Sequence, residues 1–143
     1  MTDTNANGPL VMERTFNAPV ARVWKALTDE QDLKQWTSFI PHFKPELGFE
    51  FDFFLGPDDE HQYHHLCKVT EVIDGKKIAY SWRYEGYEGI SELSYELSSE
   101  GDKTRVKLVW SGLDTFPKIF TSAGFQEGSE YTMNALGEFV EKA

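Results

Sequence analysis

Between Leu10 and Trp36 the chain changes its hydrophobic period once, at Ala18-Pro19, and that change constrains the fold more than any other feature. Leu10 to Phe16 alternates as a strand does. Pro19 then brings a fixed φ suited to the first turn of a helix, where its missing N–H is no loss. Val20, Val23, Trp24 and Leu27 follow at i, i+3, i+4 and i+7, one apolar stripe on a short helix. Thr28 with Gln31 three residues on reads as a capping box, so a second short helix is predicted from there, with Leu33 and Trp36 on its buried side. A strand that turns into two angled helices must find further strands to pair with.

Those strands follow. Phe39 to Pro45 carries two prolines and reads as loop, after which Gly48 to Phe53 alternates strictly, with Phe49, Phe51 and Phe53 on one face. Gly56-Pro57-Asp58-Asp59 reads as a turn. Tyr63–Ile73 and Lys77–Tyr84 are predicted strands joined at Asp74-Gly75, a dipeptide that favours tight hairpins. Ile78, Tyr80, Trp82 and Tyr84 share a face. Ser91–Leu97 and a sixth strand carrying Val106, Leu108 and Trp110 inward flank a turn at Glu100-Gly101-Asp102. Connections this short imply an antiparallel meander. Helical period returns at Ser129, Met133, Leu136 and Val140, the longest helix, with Thr132, Ala135 and Phe139 widening the stripe. Gly128 and Gly137 within it each cost about 1 kcal/mol against Ala. Close approach of helix to sheet accounts for them, or else a pliable helix over a cavity.

Length suits one domain, 10–143, behind a polar flexible tail at 1–9 that has no basic start or apolar stretch and so does not read as an export signal. No apolar run approaches the roughly 20 residues of a membrane helix, so membrane insertion is not expected. A net charge of −10 argues against nucleic acid as a partner. Cys67, the only cysteine, excludes an internal disulfide and agrees with a reducing, cytoplasmic setting.

Chemistry-bearing clusters are few. His61, His64 and His65 are dense, but on a strand His61 and His65 share a face and His64 points away, which suits a solvated hairpin end better than a metal site. The acidic pairs Asp58-Asp59-Glu60, Glu85/Glu88 and Glu127/Glu130 fall in turns or on a polar helix side. Glu71, between Val69 and Val72, is either turned outward after a local bulge or a carboxylate in a cavity. No nucleophile triad or glycine-rich phosphate loop is legible, and no cofactor is expected.

Phe16-Asn17-Ala18-Pro19 with Val23-Trp24-Lys25-Ala26-Leu27-Thr28-Asp29 and Leu33-Trp36 form the first block of a wider pattern. Gly48-Phe49-Glu50-Phe51 follows, then Val69-Thr70-Glu71-Val72 with Ile78-Ala79-Tyr80-Ser81-Trp82, then Thr104-Arg105-Val106-Lys107-Leu108 with Ser111-Gly112. In that order these blocks resemble the START-like (SRPBCC) superfamily, and within it the bacterial branch similar to the C-terminal domain of the heat-shock-protein ATPase activator. The resemblance implies an α+β helix-grip fold: a curved six-stranded antiparallel sheet around a long C-terminal helix, two short helices after the first strand, and an apolar cavity between. It implies binding of a small hydrophobic or aromatic molecule of lipid, sterol-like or polyketide-like character. It equally implies two alternatives, a co-chaperone-like module acting on a heat-shock ATPase in a stress response and a cyclase- or hydrolase-like enzyme. Where the family usually has Gly-Trp at the last helix this chain has Gly128-Ser129, a loss expected to enlarge or wet the cavity mouth. Trp110 stands where a histidine is common.

On this reading Trp36, Phe39 and Ile40 shape the entrance, while Phe51, Phe53, Val69, Tyr80, Trp82, Tyr95, Trp110 and Met133 form the wall. Such a lining suits a flat ligand held by shape and a few hydrogen bonds. The same residues also describe a packed core, because the sheet buries its concave face with or without a ligand.

Overall fold

The computed structural model describes residues 9–37, 40–117 and 119–142. The elements are β1 (Leu10–Phe16), α1 (Val20–Thr28), α2 (Glu30–Trp36), β2 (Glu50–Asp58), β3 (His61–Ile73), β4 (Lys77–Tyr84), β5 (Ser91–Glu100), β6 (Lys103–Ser111), a 3-10 turn at Leu113–Thr115 and α3 (Ser122–Glu141). The six strands form one antiparallel sheet in the order β1-β6-β5-β4-β3-β2. Five strands thus run as a meander, and β1 closes onto β6 with Leu10 opposite Trp110. This is the α+β helix-grip layout.

Local chemistry sets the joints. Pro19 stands just ahead of α1 as its cap residue, in extended conformation. Asp29, not Thr28, separates the two short helices: its N–H donates to the Lys25 carbonyl at 2.8 Å, and its carboxylate accepts from the Asp32 N–H at 3.1 Å. The Thr28 hydroxyl instead donates back to the Trp24 carbonyl at 2.7 Å, so it finishes α1. Asp32 is buried and takes Arg22 at 3.3 Å and Lys25 at 3.2 Å. Arg22 also donates to the Phe139 carbonyl at 3.1 Å and lies over the Phe139 ring at 4.6 Å, which ties the helix pair to α3.

Strand ends differ from the sequence reading, whereas Glu71 follows the outward, bulged alternative. Gly56 and Pro57 continue β2 through a register shift between Leu55 and Asp58, and the turn shrinks to Asp59-Glu60. A side chain at Gly56 would put its Cβ 1.7 Å from the His61 carbonyl oxygen, so the paired strand leaves room only for glycine there. A second register shift, between Val69 and Glu71, turns Glu71 outward to Lys77 at 3.0 Å. Finally, β5 runs on to Glu100, and α3 begins at Ser122, capped by the Thr121 hydroxyl accepting from the Gly124 N–H at 3.0 Å.

The inner stripe of α3 is as its spacing requires: Ser129, Met133, Leu136 and Val140 are all buried. At the C-terminal half the helix sits tightly on the sheet, because a Cβ at Gly137 would lie 2.7 Å from the Phe16 ring. At the other half the helix stands off.

Candidate functional site

The space left beneath the N-terminal half of α3 is a cavity of about 490 Å³. Of the residues expected to form it, Trp36, Ile40, Tyr80, Trp82, Tyr95 and Trp110 are on its surface. Phe51, Phe53, Val69 and Met133 are not. Phe51 packs edge-on against Phe43 at 5.2 Å and Tyr80 at 5.1 Å, which places it behind the wall. Phe53 stacks on His65 at 4.6 Å and meets Trp82 at 5.5 Å, so it supports those rings from beyond the cavity. Val69 and Met133 are closed into the packed core. Phe39 lies outside the described residues. Ile40 is buried, so it belongs to the interior and not to the entrance.

The wall owes its character to period two along β4, β5 and β6, which aims Tyr80, Trp82 and Tyr84, then Leu93 and Tyr95, then Leu108 and Trp110 at α3. Indole N–H groups are already used. Trp36 donates to the Ala26 carbonyl at 2.8 Å, Trp82 to the Tyr84 hydroxyl at 3.1 Å, and Trp110 to Ser91 Oγ at 2.9 Å. Ser91 Oγ in turn donates to the Trp82 carbonyl at 2.9 Å. The rings therefore present apolar faces, with Trp82 edge-on to Trp110 at 5.1 Å.

Sequence reasoning singled out Gly128-Ser129 at the mouth but missed Gly124, Phe125, Thr132, Leu55 and Tyr131. Gly124, Phe125, Gly128, Ser129 and Thr132 of α3 lie on the cavity, and Leu55 and the exposed Tyr131 stand at its mouth. A Cβ at Gly128 would meet nothing within 4 Å, and Ser129, at the position of the missing indole, is a lining residue of the cavity. His65 was expected with His61 at a solvated hairpin end, but it is buried and lines the cavity. The readable signal was parity with Cys67 and Val69, which sends His65 inward and His64 outward.

Among the described residues, no Asp, Glu, Lys or Arg lines the cavity. Burial pushes the His65 imidazole down to about 4, so the ring is neutral at pH 7. Its Nδ1 lies 2.9 Å from the Tyr63 carbonyl oxygen and carries the proton of that neutral ring. Burial likewise lifts the Tyr84 phenol to about 12 and holds Tyr80 and Tyr95 well above the ordinary phenol range. The wall is uncharged. Cys67 lies behind it, buried, its thiol pushed up by desolvation and so unreactive. One polar atom stands out: Ser129 Oγ is buried and has no hydrogen-bond partner among the described residues.

On the opposite face of the sheet His64 is held between Asp52 at 2.6 Å and Glu85 at 2.5 Å, with Phe54 stacked on it at 4.3 Å. Hydrogen bonds to those two carboxylates raise its pKa. No group of three or more His, Cys, Asp and Glu among the described residues is placed to hold a metal ion. No described helix is long and apolar enough to cross a membrane.

Solved structures share this architecture. A protein of Chromobacterium violaceum superposes with a TM-score of 0.79 at 19% identity, covering 93% of this chain and 96% of that one. DynU16, from the dynemicin biosynthetic locus, gives 0.75 at 18% identity over 93% of this chain and 47% of its own. CalU16 from Micromonospora echinospora gives 0.68 at 26% identity over 92% and 75%. Among characterised proteins, the Hsp90 co-chaperone AHA1 of Saccharomyces cerevisiae is 21% identical over 126 residues, 82% of this chain. The chain spans 34% of that relative's length. Residues 17–141, from the end of β1 to the end of α3, match a family profile, and the chain belongs to the activator of Hsp90 ATPase homolog 1-like protein family.

Proposed function

We propose that this protein binds a small hydrophobic or aromatic molecule in the cavity between the sheet and α3. One observation carries the reading: about 490 Å³ of space walled by aromatic faces, with no ionised side chain among the described residues that line it. Protein interiors hold few voids larger than a water molecule. The volume instead falls in the range of small-molecule sites, about 300–1,000 Å³. Water gains little on such a wall, since the indole donors are spent within the protein. A flat apolar guest gains contact with several rings at once.

Titration of tryptophan emission with a broad panel of lipophiles tests this, because Trp36, Trp82 and Trp110 all touch the cavity. Saturable changes are expected with the native protein and are lost in Ser129→Leu, which fills the space. Gly128→Leu narrows the mouth and provides an independent arm. A panel that leaves emission unchanged in the native protein would overturn the reading.

Family membership and the yeast relative favour a second reading, a cytoplasmic co-chaperone-like module acting on a heat-shock ATPase through its surface. Stimulation of that ATPase by the native protein and equally by Ser129→Leu would establish it. Stimulation that disappears when the cavity is filled would instead place the cavity in the mechanism.

A further inference from the structure

We propose that the cavity selects uncharged aromatic molecules bearing a hydroxyl or carbonyl oxygen, which Ser129 Oγ hydrogen-bonds, and discriminates against carboxylate-bearing lipophiles of the same shape. This rests on the ligand-binding reading above. It is carried by a contrast among the buried hydroxyls. Thr28 donates to Trp24 at 2.7 Å, Thr37 to Leu33 at 2.6 Å, Ser91 to Trp82 at 2.9 Å, Ser94 to Val109 at 3.5 Å and Thr104 to Ala18 at 2.8 Å, each to a carbonyl oxygen. Among the buried serines and threonines of the described residues Ser129 alone does not, although a serine inside a helix ordinarily has the carbonyl one turn back within reach. Ser129 is a lining residue of the cavity and is 2% exposed, so bulk water does not replace the missing partner. Buried hydroxyls left unpaired are costly, and an oxygen on the bound molecule removes that cost.

The rest of the wall decides the charge. A carboxylate entering the cavity would shed its water and find no Lys or Arg among the described lining residues, and the net charge of −10 repels it on approach. The His65 ring is fixed between Phe53, Trp82 and Tyr84 at 4.6, 5.2 and 4.8 Å, with its Nδ1 on the Tyr63 carbonyl. Held so, and neutral, it brings no positive charge to the wall.

Three probes that share one ring system separate the contributions: pyrene, pyrenemethanol and pyrenecarboxylate, each titrated at pH 7 against tryptophan emission. The native protein should bind pyrenemethanol most tightly and pyrenecarboxylate most weakly. In Ser129→Ala, pyrenemethanol should lose about 3- to 10-fold in affinity, the worth of one net hydrogen bond, while pyrene is unchanged. Ser129→Thr, which retains the hydroxyl, should keep most of the preference. Circular dichroism of each variant checks that it is folded. Pyrenecarboxylate binding as tightly as pyrenemethanol, or a pyrenemethanol preference that survives Ser129→Ala, overturns this inference and leaves the ligand-binding reading standing. Failure of all three probes to bind the native protein removes both.

Discussion

Gly128 and Gly137 interrupt the same helix for different reasons. A Cβ at Gly128 meets nothing within 4 Å, whereas at Gly137 it would press to 2.7 Å on the buried ring of Phe16. Gly128→Ala should therefore raise stability by about 0.5–1 kcal/mol through helix propensity alone. Gly137→Ala gains the same propensity but overfills the core, at a cost of about 1–3 kcal/mol, and should come out destabilised. Urea titration of both variants checks the pair, and a stabilised Gly137→Ala would mean that helix and sheet are not in close contact there. From the sequence the two residues were indistinguishable, because period places a residue on a face but not at a distance from the opposite layer. Met133 shows the same limit. Its stripe is right, yet it is fully buried in the closed half of the interface, so Met133→Trp should unfold the protein more readily and not block a ligand.

At the scale of elements, β3 carries adjacent histidines with opposite titration behaviour. His65 faces inward, and burial lowers its folded pKa from 6.5 to about 4. Between those values the unfolded chain holds a proton that the folded one refuses, so stability falls as pH drops through that window and is flat above it. The slope is on the order of 1.4 kcal/mol per pH unit at its steepest. His64 faces outward, and Asp52 and Glu85 raise its folded pKa, so its contribution is complete below 6.5 and fades as pH rises through the raised value. His65→Gln should flatten the loss of urea resistance between pH 6.5 and 4.5. His64→Gln should lower stability near pH 6 more than at pH 9. An unchanged acid limb in His65→Gln would show that the ring is not neutral and enclosed. Alternation along β3 was legible because it depends on one strand alone. A bulge beside Glu71 was legible as one of two alternatives, but the register shift at Leu55–Asp58 was not, since it is a property of two paired strands. Gly56-Pro57, a strong turn signal, became strand because only glycine fits against His61. Thr28 and Asp29 both suit a helix cap, and the angle between α1 and α2 chose the second.

Across the whole molecule, the order of elements and the sheet topology follow from a change of period, short connections and a closing amphipathic helix, all written locally. The cavity is not local. It exists because α3 is seated tightly by Met133, Leu136, Gly137 and Val140 at one end and stands off at Gly124 and Gly128 at the other. A helix anchored at one end should answer to side-chain volume asymmetrically. Leu136→Ala removes packing from a site with no exposure and should cost about 2–5 kcal/mol. Gly128→Leu adds volume over open space and should cost less than about 1 kcal/mol. The same anchoring grades the stability of the helix along its length, because local opening is cheapest where few apolar groups are buried. In native-state hydrogen exchange the amides of residues 126–131 should exchange through local openings well below the global unfolding free energy, and those of 133–140 close to it. A bound lipophile should raise protection in the first group and leave the second governed by global unfolding. Uniform protection along α3 in the free protein would mean that its cavity half is held as firmly as its core half, and that the space beneath it is closed by packing.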